Sequence, residues 1–155
     1  MTDLVNTWIT RLCESHALGA GKLDEFGQWQ LVFEQDHRCA VYLPADSPHL
    51  FFTAEICPIP DNAREAFYAA LLSHNLSLLD TGGASFAIDP VDGMVWLNFG
   101  QPLISLDAAS FENSLGTFLE LAIRWHSRFS ETVPGTEPFL GRPVENDPLF
   151  AGMRI

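Results

Sequence analysis

The spacing of apolar residues alternates along this chain between the 3.6-residue period of helices and the two-residue period of strands. Residues 3–18 carry apolar side chains at three- and four-residue intervals, which predicts a first helix with Thr2 as its N-cap. Three short runs of period two then follow at 29–33, 39–43 and 50–56, separated by turn residues. They predict three antiparallel strands after the first helix.

The middle of the chain repeats this alternation. A start signal at Pro60 precedes a second helical pattern that ends near Asn75. Two apolar runs then flank the turn sequence 89–93, in which Pro90 fixes φ and Gly93 accepts a positive φ. This arrangement predicts a β-hairpin.

A last helix is predicted after Asp107, which has the side chain of a good N-cap. One continuous apolar stripe runs along this helix and should pack on the sheet: Phe111, Leu115, Phe118, Ala122, Trp125 and Phe129. The predicted order is helix, three strands, helix, two strands, helix. The fold class is therefore α+β, with helices packed on a mostly antiparallel, twisted sheet.

The length and the proline distribution define the domain organisation. A chain of 155 residues with 47% apolar content has the usual size of one domain and enough apolar surface for a core. Prolines at 134, 138, 143 and 148 exclude the end of the chain from helices and central strands. We therefore predict a single α+β domain at 1–130 and a Pro-rich C-terminal tail at 131–155 that is mobile or draped over the surface.

The charge of the chain restricts its partners. Twenty acidic and eight basic residues give a formal net charge of -12, and no Lys or Arg lies between Arg64 and Arg124. Such a surface repels nucleic acid phosphates and anionic lipid heads. We expect no nucleic acid partner and no membrane insertion, and three unpaired cysteines without metal-ligand spacing favour the cytoplasm. The acidity serves either solubility or attraction to a basic partner segment.

The sequence contains no pattern typical of a catalytic or metal site. Ser73 and His74 are adjacent on a predicted helix, where their side chains point about 100° apart and cannot form a catalytic pair. His37 and Cys39 alternate on one strand, but two ligands do not make a metal site. We therefore expect a protein that is not an enzyme and that needs no cofactor and no metal.

Apolar residues are also found opposite the main apolar stripes of the predicted strands. One layer of helices covers only one face of a sheet, so the second face should meet another subunit or a ligand. The residues assigned to this second face are Val32, Tyr42, Phe51, Val95, Leu97 and Phe99.

With these features the chain resembles the class I type III secretion chaperones of the Tir chaperone family. The resemblance covers about residues 1–129 and is clearest in a series of segments that come in the family's order. These are Leu71-Leu72-Ser73-His74-Asn75, Thr81-Gly82-Gly83-Ala84, the hairpin Ile88-Asp89-Pro90-Val91-Asp92-Gly93, Val95-Trp96-Leu97, Pro102-Leu103 before Leu106-Asp107, and the helix 108–129.

The resemblance implies a homodimer in the bacterial cytoplasm, without nucleotide or metal, around which the N-terminal segment of a secreted effector wraps in extended form. Such a chaperone keeps the effector soluble and export-competent. Physically, an unfolded segment can add a strand to a sheet edge and insert apolar anchors into grooves. We assign partner binding to Val5, Trp8, Leu31, Phe33 and Val41, and the dimer interface to Phe67, Tyr68, Leu71, Leu72, Trp96 and Leu97.

Other functions are compatible with the same pattern. A sensory-regulator-like or immunity-type domain of the same fold would also bind protein, but a folded partner in the immunity case. A small ligand-binding enzyme could use the second sheet face as a pocket. That enzyme should bring two or three titratable groups into one apolar cleft.

Overall fold

The computed structural model describes residues 1–33 and 37–130, so the predicted tail at 131–155 lies outside the described residues. The predicted α+β class is confirmed. The elements follow in the order α1 Thr2–His16, β1 Gln28–Phe33, β2 His37–Tyr42, β3 His49–Pro58, α2 Arg64–Leu76, α3 Leu78–Thr81, β4 Ser85–Asp89, β5 Met94–Pro102, a 3₁₀ turn Leu103–Ser105 and α4 Ala108–Ser130.

The five strands form one antiparallel sheet in the order β1-β2-β3-β5-β4. The second hairpin therefore joins the sheet through β5, which pairs with β3, and leaves β4 at one edge. The other edge is β1. In this order β3 is the central strand, and α4 makes its main sheet contact there.

The core lies between the sheet and the two long helices α1 and α4. Phe52 of β3 is fully buried, and its ring lies 6.0 Å from that of Phe111 and 5.8 Å from that of Phe118. Trp8 of α1 meets the same cluster, with its ring centroid 5.8 Å from that of Phe111. Full burial of one such side chain contributes about 1.5–3 kcal/mol to the free energy of unfolding. Because Trp8 of α1 and Phe111 of α4 belong to the same cluster, the apolar stripes of both helices cover one face of the sheet.

The structure corrects the predicted orientation of β5. Val95 and Leu97 are fully buried beneath the helices, whereas Trp96 lies on the other face. The hairpin register explains this, because Leu97 lies opposite Phe86, which is also buried. Since side chains alternate along a strand, the register of one pair sets the faces of the whole strand.

The helix boundaries differ slightly from the prediction. α2 begins at Arg64, after Ala63 adopts a left-handed φ of 56°. The four-residue helix α3 was not predicted. At α4, the predicted cap is confirmed: Asp107 Oδ1 accepts a hydrogen bond from the Ser110 N–H at 2.7 Å, and this bond lowers the pKa of Asp107. None of the described helices is long and apolar enough to cross a membrane.

Candidate partner-binding surface

The outer edge of β4 is closed by a side chain from α2. Asn75 Oδ1 accepts a hydrogen bond from the Phe86 N–H at 2.7 Å, and Asn75 Nδ2 donates to the Phe86 carbonyl at 3.2 Å. One side-chain amide thus makes both bonds that a neighbouring strand would make to Phe86. Asn75 therefore blocks pairing of a further strand at Phe86, while the alternation leaves the groups of Ile88 pointing outward.

The outer edge of β1 is arranged differently. The Gln28 N–H donates to Asp24 Oδ1 at 2.8 Å, and the Gln28 carbonyl accepts from the Asp24 N–H at 2.7 Å, so both groups point away from β2. The adjacent Gly27 carbonyl accepts from the Leu43 N–H at 2.9 Å. In an antiparallel pair these two patterns alternate, so the N–H and C=O groups of Gln30 and Val32 also point outward.

We call the outward groups of Gln30 and Val32 the β1 edge. Within residues 1–33 and 37–130, no hydrogen bond from outside the sheet reaches either residue. Apolar side chains lie on both faces beside these groups. Val32 is 64% exposed on one face, and Leu31 and Phe33 are half-buried against the core on the other. The β1 edge therefore offers backbone pairing and apolar contact together.

Three of the five residues assigned to partner binding lie in the core. Val5, Trp8 and Val41 are buried, so Val5 and Trp8 are not an accessible edge of the α1 stripe, whereas Leu4 of the same stripe is 49% exposed. The segment after α1 explains the burial of this stripe, because Gly21 lies so close to α1 and the sheet that a Cβ atom there would clash. Leu31 and Phe33 are the two assigned residues that remain partly accessible.

The sheet face opposite the helices carries half-exposed aromatic residues, among them Tyr42, Phe51 and Trp96. Arg38 forms an ion pair with Glu55, and its guanidinium lies 5.7 Å above the Trp96 ring. Two shallow depressions of about 330 and 190 Å³ adjoin this ring. Neither lining brings two carboxylates or histidines together, which is the arrangement expected of a pocket enzyme.

The residues assigned to the dimer interface divide into three groups. Leu71 and Leu97 are buried in the core, and their assignment to an exposed interface is corrected. Phe67 and Tyr68 are half-buried, with the Phe67 ring 5.8 Å from that of Phe129 in α4, and Trp96 lies on the open sheet face. Leu72 is 69% exposed.

Sequence reasoning missed the neighbours of Leu72. Leu76, Leu78 and Leu79 are also largely exposed. Leu72 and Leu76 are four residues apart on the side of α2 opposite its buried residues, and Leu79 follows in α3, after the extended Ser77. This spacing was the available signal, but in the sequence it merges with the core stripe of the same helix. We call Leu72, Leu76 and Leu79 the leucine stripe.

The three cysteines form no disulfide within the described residues. Cys13, Cys39 and Cys57 are free and buried. Burial raises the pKa of both Cys39 and Cys57 to about 12, so these thiols stay protonated at neutral pH and are poor nucleophiles and metal ligands. No group of three or more His, Cys, Asp or Glu side chains among the described residues could hold a metal ion.

An acidic α+β domain with two successive unbonded outward residues on one sheet edge, Gln30 and Val32, has the geometry of a protein-binding module. The model of the Tir chaperone protein (CesT) family matches residues 9–126. This chain belongs to that family. The resemblance to type III secretion chaperones is therefore confirmed, and the family and its fold are those of a non-catalytic binding protein. No curated protein matches the chain in sequence.

Solved structures with the same fold include several secretion complexes. A chain of the ExsC–ExsE complex has a TM-score of 0.73 and 22% identity, covering 82% of this chain and 94% of that chain. A chain of the HopA1–SchA chaperone–effector complex has a TM-score of 0.63 and 14% identity, covering 80% and 94%. For the ExoT–SpcS complex of Pseudomonas aeruginosa the values are 0.55 and 24%, covering 81% and 99%. At these identities the similarity shows the fold.

Proposed function

We propose that this chaperone binds the N-terminal segment of a secreted effector in extended form and keeps it soluble and export-competent in the bacterial cytoplasm. The observation that supports this most directly is the difference between the two sheet edges. In β4 Asn75 takes the outward groups of Phe86 and leaves only those of Ile88, whereas in β1 two successive outward residues, Gln30 and Val32, have no such partner within the described residues. An extended segment adds to a sheet at such an open edge.

The apolar side chains at the β1 edge supply the second part of the affinity. A strand paired with Gln30 and Val32 places alternate side chains against exposed Val32 on one face and half-buried Leu31 and Phe33 on the other. Ordering an unfolded segment costs about 2–5 kcal/mol or more, so a single six-residue edge is a small site for this purpose. Contacts from a second subunit would enlarge it.

We infer a homodimer formed through the leucine stripe. A patch of exposed leucines on α2 and the following α3 can pair with the same patch of a second copy about a two-fold axis. We expect Leu76→Glu to convert the dimer into a monomer, because it would bury a charge at the interface, and Ile104→Glu, at a residue that is 97% exposed, to leave it intact. Light scattering that gives a mass near the 17.2 kDa of one chain for the unaltered protein would refute the dimer.

Photo-crosslinking tests the site of effector binding. A photoreactive amino acid in place of Val32 should capture one secreted protein from the native cell, with the crosslinked peptides in its N-terminal segment. The same amino acid in place of Ile88, on the β4 edge where Asn75 occupies the neighbouring outward residue Phe86, should capture much less. Equal capture at both positions would contradict the proposal, and crosslinks to a folded domain would favour the sensory-regulator-like or immunity-type alternative.

A further inference from the structure

We propose that the sheet face opposite the helices binds an arginine side chain of the partner, in the depression between Trp96 of β5 and Asp89 of β4. This proposal rests on the proposed function, because the arginine belongs to the segment that pairs with the β1 edge. It adds selectivity, since backbone pairing alone does not distinguish one sequence from another.

The depression results from a difference in size between neighbouring side chains. On this face Trp96 lies opposite Ala87 of β4, and Asn98 lies opposite Thr53 of β3. The large indole ring therefore stands beside small side chains and borders a depression of about 330 Å³. Sites for small ligands begin at about 300 Å³, so the depression has room for one long side chain.

The Asp89 carboxylate borders the same depression and is held in place by the β4–β5 turn. Its Oδ1 atom accepts hydrogen bonds from the Val91 N–H at 2.8 Å and the Asp92 N–H at 3.3 Å. Within residues 1–33 and 37–130, its Oδ2 atom accepts no hydrogen bond and no cation forms an ion pair with it. An oriented carboxylate of this kind is a good acceptor for the N–H groups of a guanidinium.

The charges around the depression favour a cation. The Arg38 guanidinium lies 5.7 Å from the Trp96 ring, but it is paired with Glu55 and lines the other depression beside this ring. The charge of Asp89 is therefore left uncompensated by its described neighbours. A planar guanidinium can pair with this carboxylate and stack on the indole ring, which makes arginine the best fit.

The strand register connects this depression to the β1 edge. Val32 lies opposite Arg38, which is paired with Glu55, and Glu55 lies opposite Trp96. This row crosses three strand spacings, so Trp96 is about 14 Å from Val32. About five extended residues cover that distance. A segment held at the β1 edge can therefore continue across the face and place an arginine beside Trp96.

Titration of the isolated protein with N-acetyl-arginine amide, followed by NMR, tests the site without an effector. The signals of the Trp96 indole N–H and the Ala87 amide should shift and saturate. N-acetyl-citrulline amide, which has a similar shape and no charge, should shift them much less. Asp89→Asn keeps an acceptor for the Val91 N–H and removes the charge, so it should weaken binding of the arginine probe about threefold or more.

Asp92→Asn is the matched control, because it removes a charge from the same turn at an exposed side chain, and it should bind the arginine probe like the unaltered protein. Equal shifts with both probes, or no shift with either, would overturn the proposal. Equal weakening by Asp89→Asn and Asp92→Asn would also overturn it, because general attraction to an acidic surface would then explain the binding.

The effector segment captured from position 32 provides a second measurement. Asp89→Asn should lower its affinity about threefold or more, and Asp92→Asn should not. An unchanged affinity in Asp89→Asn together with a loss in Val32→Pro would overturn the arginine site and leave effector binding at the β1 edge intact. The amino-acid probe forms no strand, so its result does not depend on pairing at that edge.

Discussion

The two edges of the sheet differ in where their outward backbone groups find partners. At β4, the outward groups of Phe86 bond to Asn75, a side chain of the neighbouring helix α2. At β1, Asp24 satisfies Gln28, and the outward groups of Gln30 and Val32 receive no bond from outside the sheet within the described residues. The comparison shows that, within the described residues, β4 keeps one outward residue without such a partner, Ile88, whereas β1 keeps two in succession.

The largest expected effect is the difference in stability between proline substitutions at two residues of β1, one whose N–H points toward β2 and one whose N–H points outward. The Leu31 N–H points toward Cys39 of β2, whereas the Val32 N–H points outward. Leu31→Pro removes a bond to the buried Cys39 and should lower the free energy of unfolding by about 1–3 kcal/mol. Val32→Pro should lower it by less than about 1 kcal/mol, since an edge strand tolerates proline where the N–H faces solvent.

Urea unfolding of the two proline variants measures this difference. If Val32→Pro is as destabilising as Leu31→Pro, the assigned register of outward groups is incorrect. The β1 edge would then not be open at Val32.

Removing the Asn75 hydrogen bonds at β4 should have a smaller effect on stability, which is still measurable. Asn75→Ala removes both hydrogen bonds to Phe86 and should lower the free energy of unfolding by about 1–2 kcal/mol. Asn75→Asp keeps an acceptor for the Phe86 N–H but loses the donor to its carbonyl, so its effect should be smaller. Faster exchange of the Phe86 amide in Asn75→Ala would show that this edge has been opened, and unchanged exchange would show that Asn75 does not close it.

The smallest expected effect is the pH dependence of stability that arises from His74. His74 lies in α2 beside Asn75, with its ring 4.7 Å from that of Trp125. Burial, and secondly the charge of Arg128, lower the pKa of His74, while Asp80 opposes the shift. Because the unfolded histidine then binds a proton more readily, stability should fall as the pH is lowered through about 6.5 toward the pKa of the folded state.

His74→Phe keeps an aromatic ring in this position and removes the titration. Its unfolding free energy, measured by urea between pH 7.5 and pH 5, should therefore depend less on pH than that of the unaltered protein. An unchanged pH dependence in this variant would show that His74 is not the group responsible.

The sequence predicted those parts of the fold that depend on local patterns. The α4 stripe follows from regular spacing, and all of it is buried except the half-buried Phe129. The Asp107 cap depends only on the next three residues. Period and capping are local properties, so one segment suffices to predict them.

The candidate site depended on contacts between distant segments, which a single sequence does not reveal. Trp8 could not be assigned to the core without knowing that Phe111 lies against it. Asn75 ends an ordinary helical pattern, and its bonds to Phe86 require the position of β4 beside α2. The open edge at β1 likewise follows from the strand order of the whole sheet.

The most direct test of effector binding at the β1 edge compares proline substitutions at two residues whose N–H groups point outward. Val32→Pro removes an outward N–H from β1, and Ile88→Pro removes one from β4, by the same alternation that places Phe86 outward. The affinity for the N-terminal segment captured by crosslinking, measured by calorimetry, should fall about tenfold or more in Val32→Pro and stay unchanged in Ile88→Pro. Equal affinity in both variants, or a loss in Ile88→Pro alone, would contradict effector binding at the β1 edge.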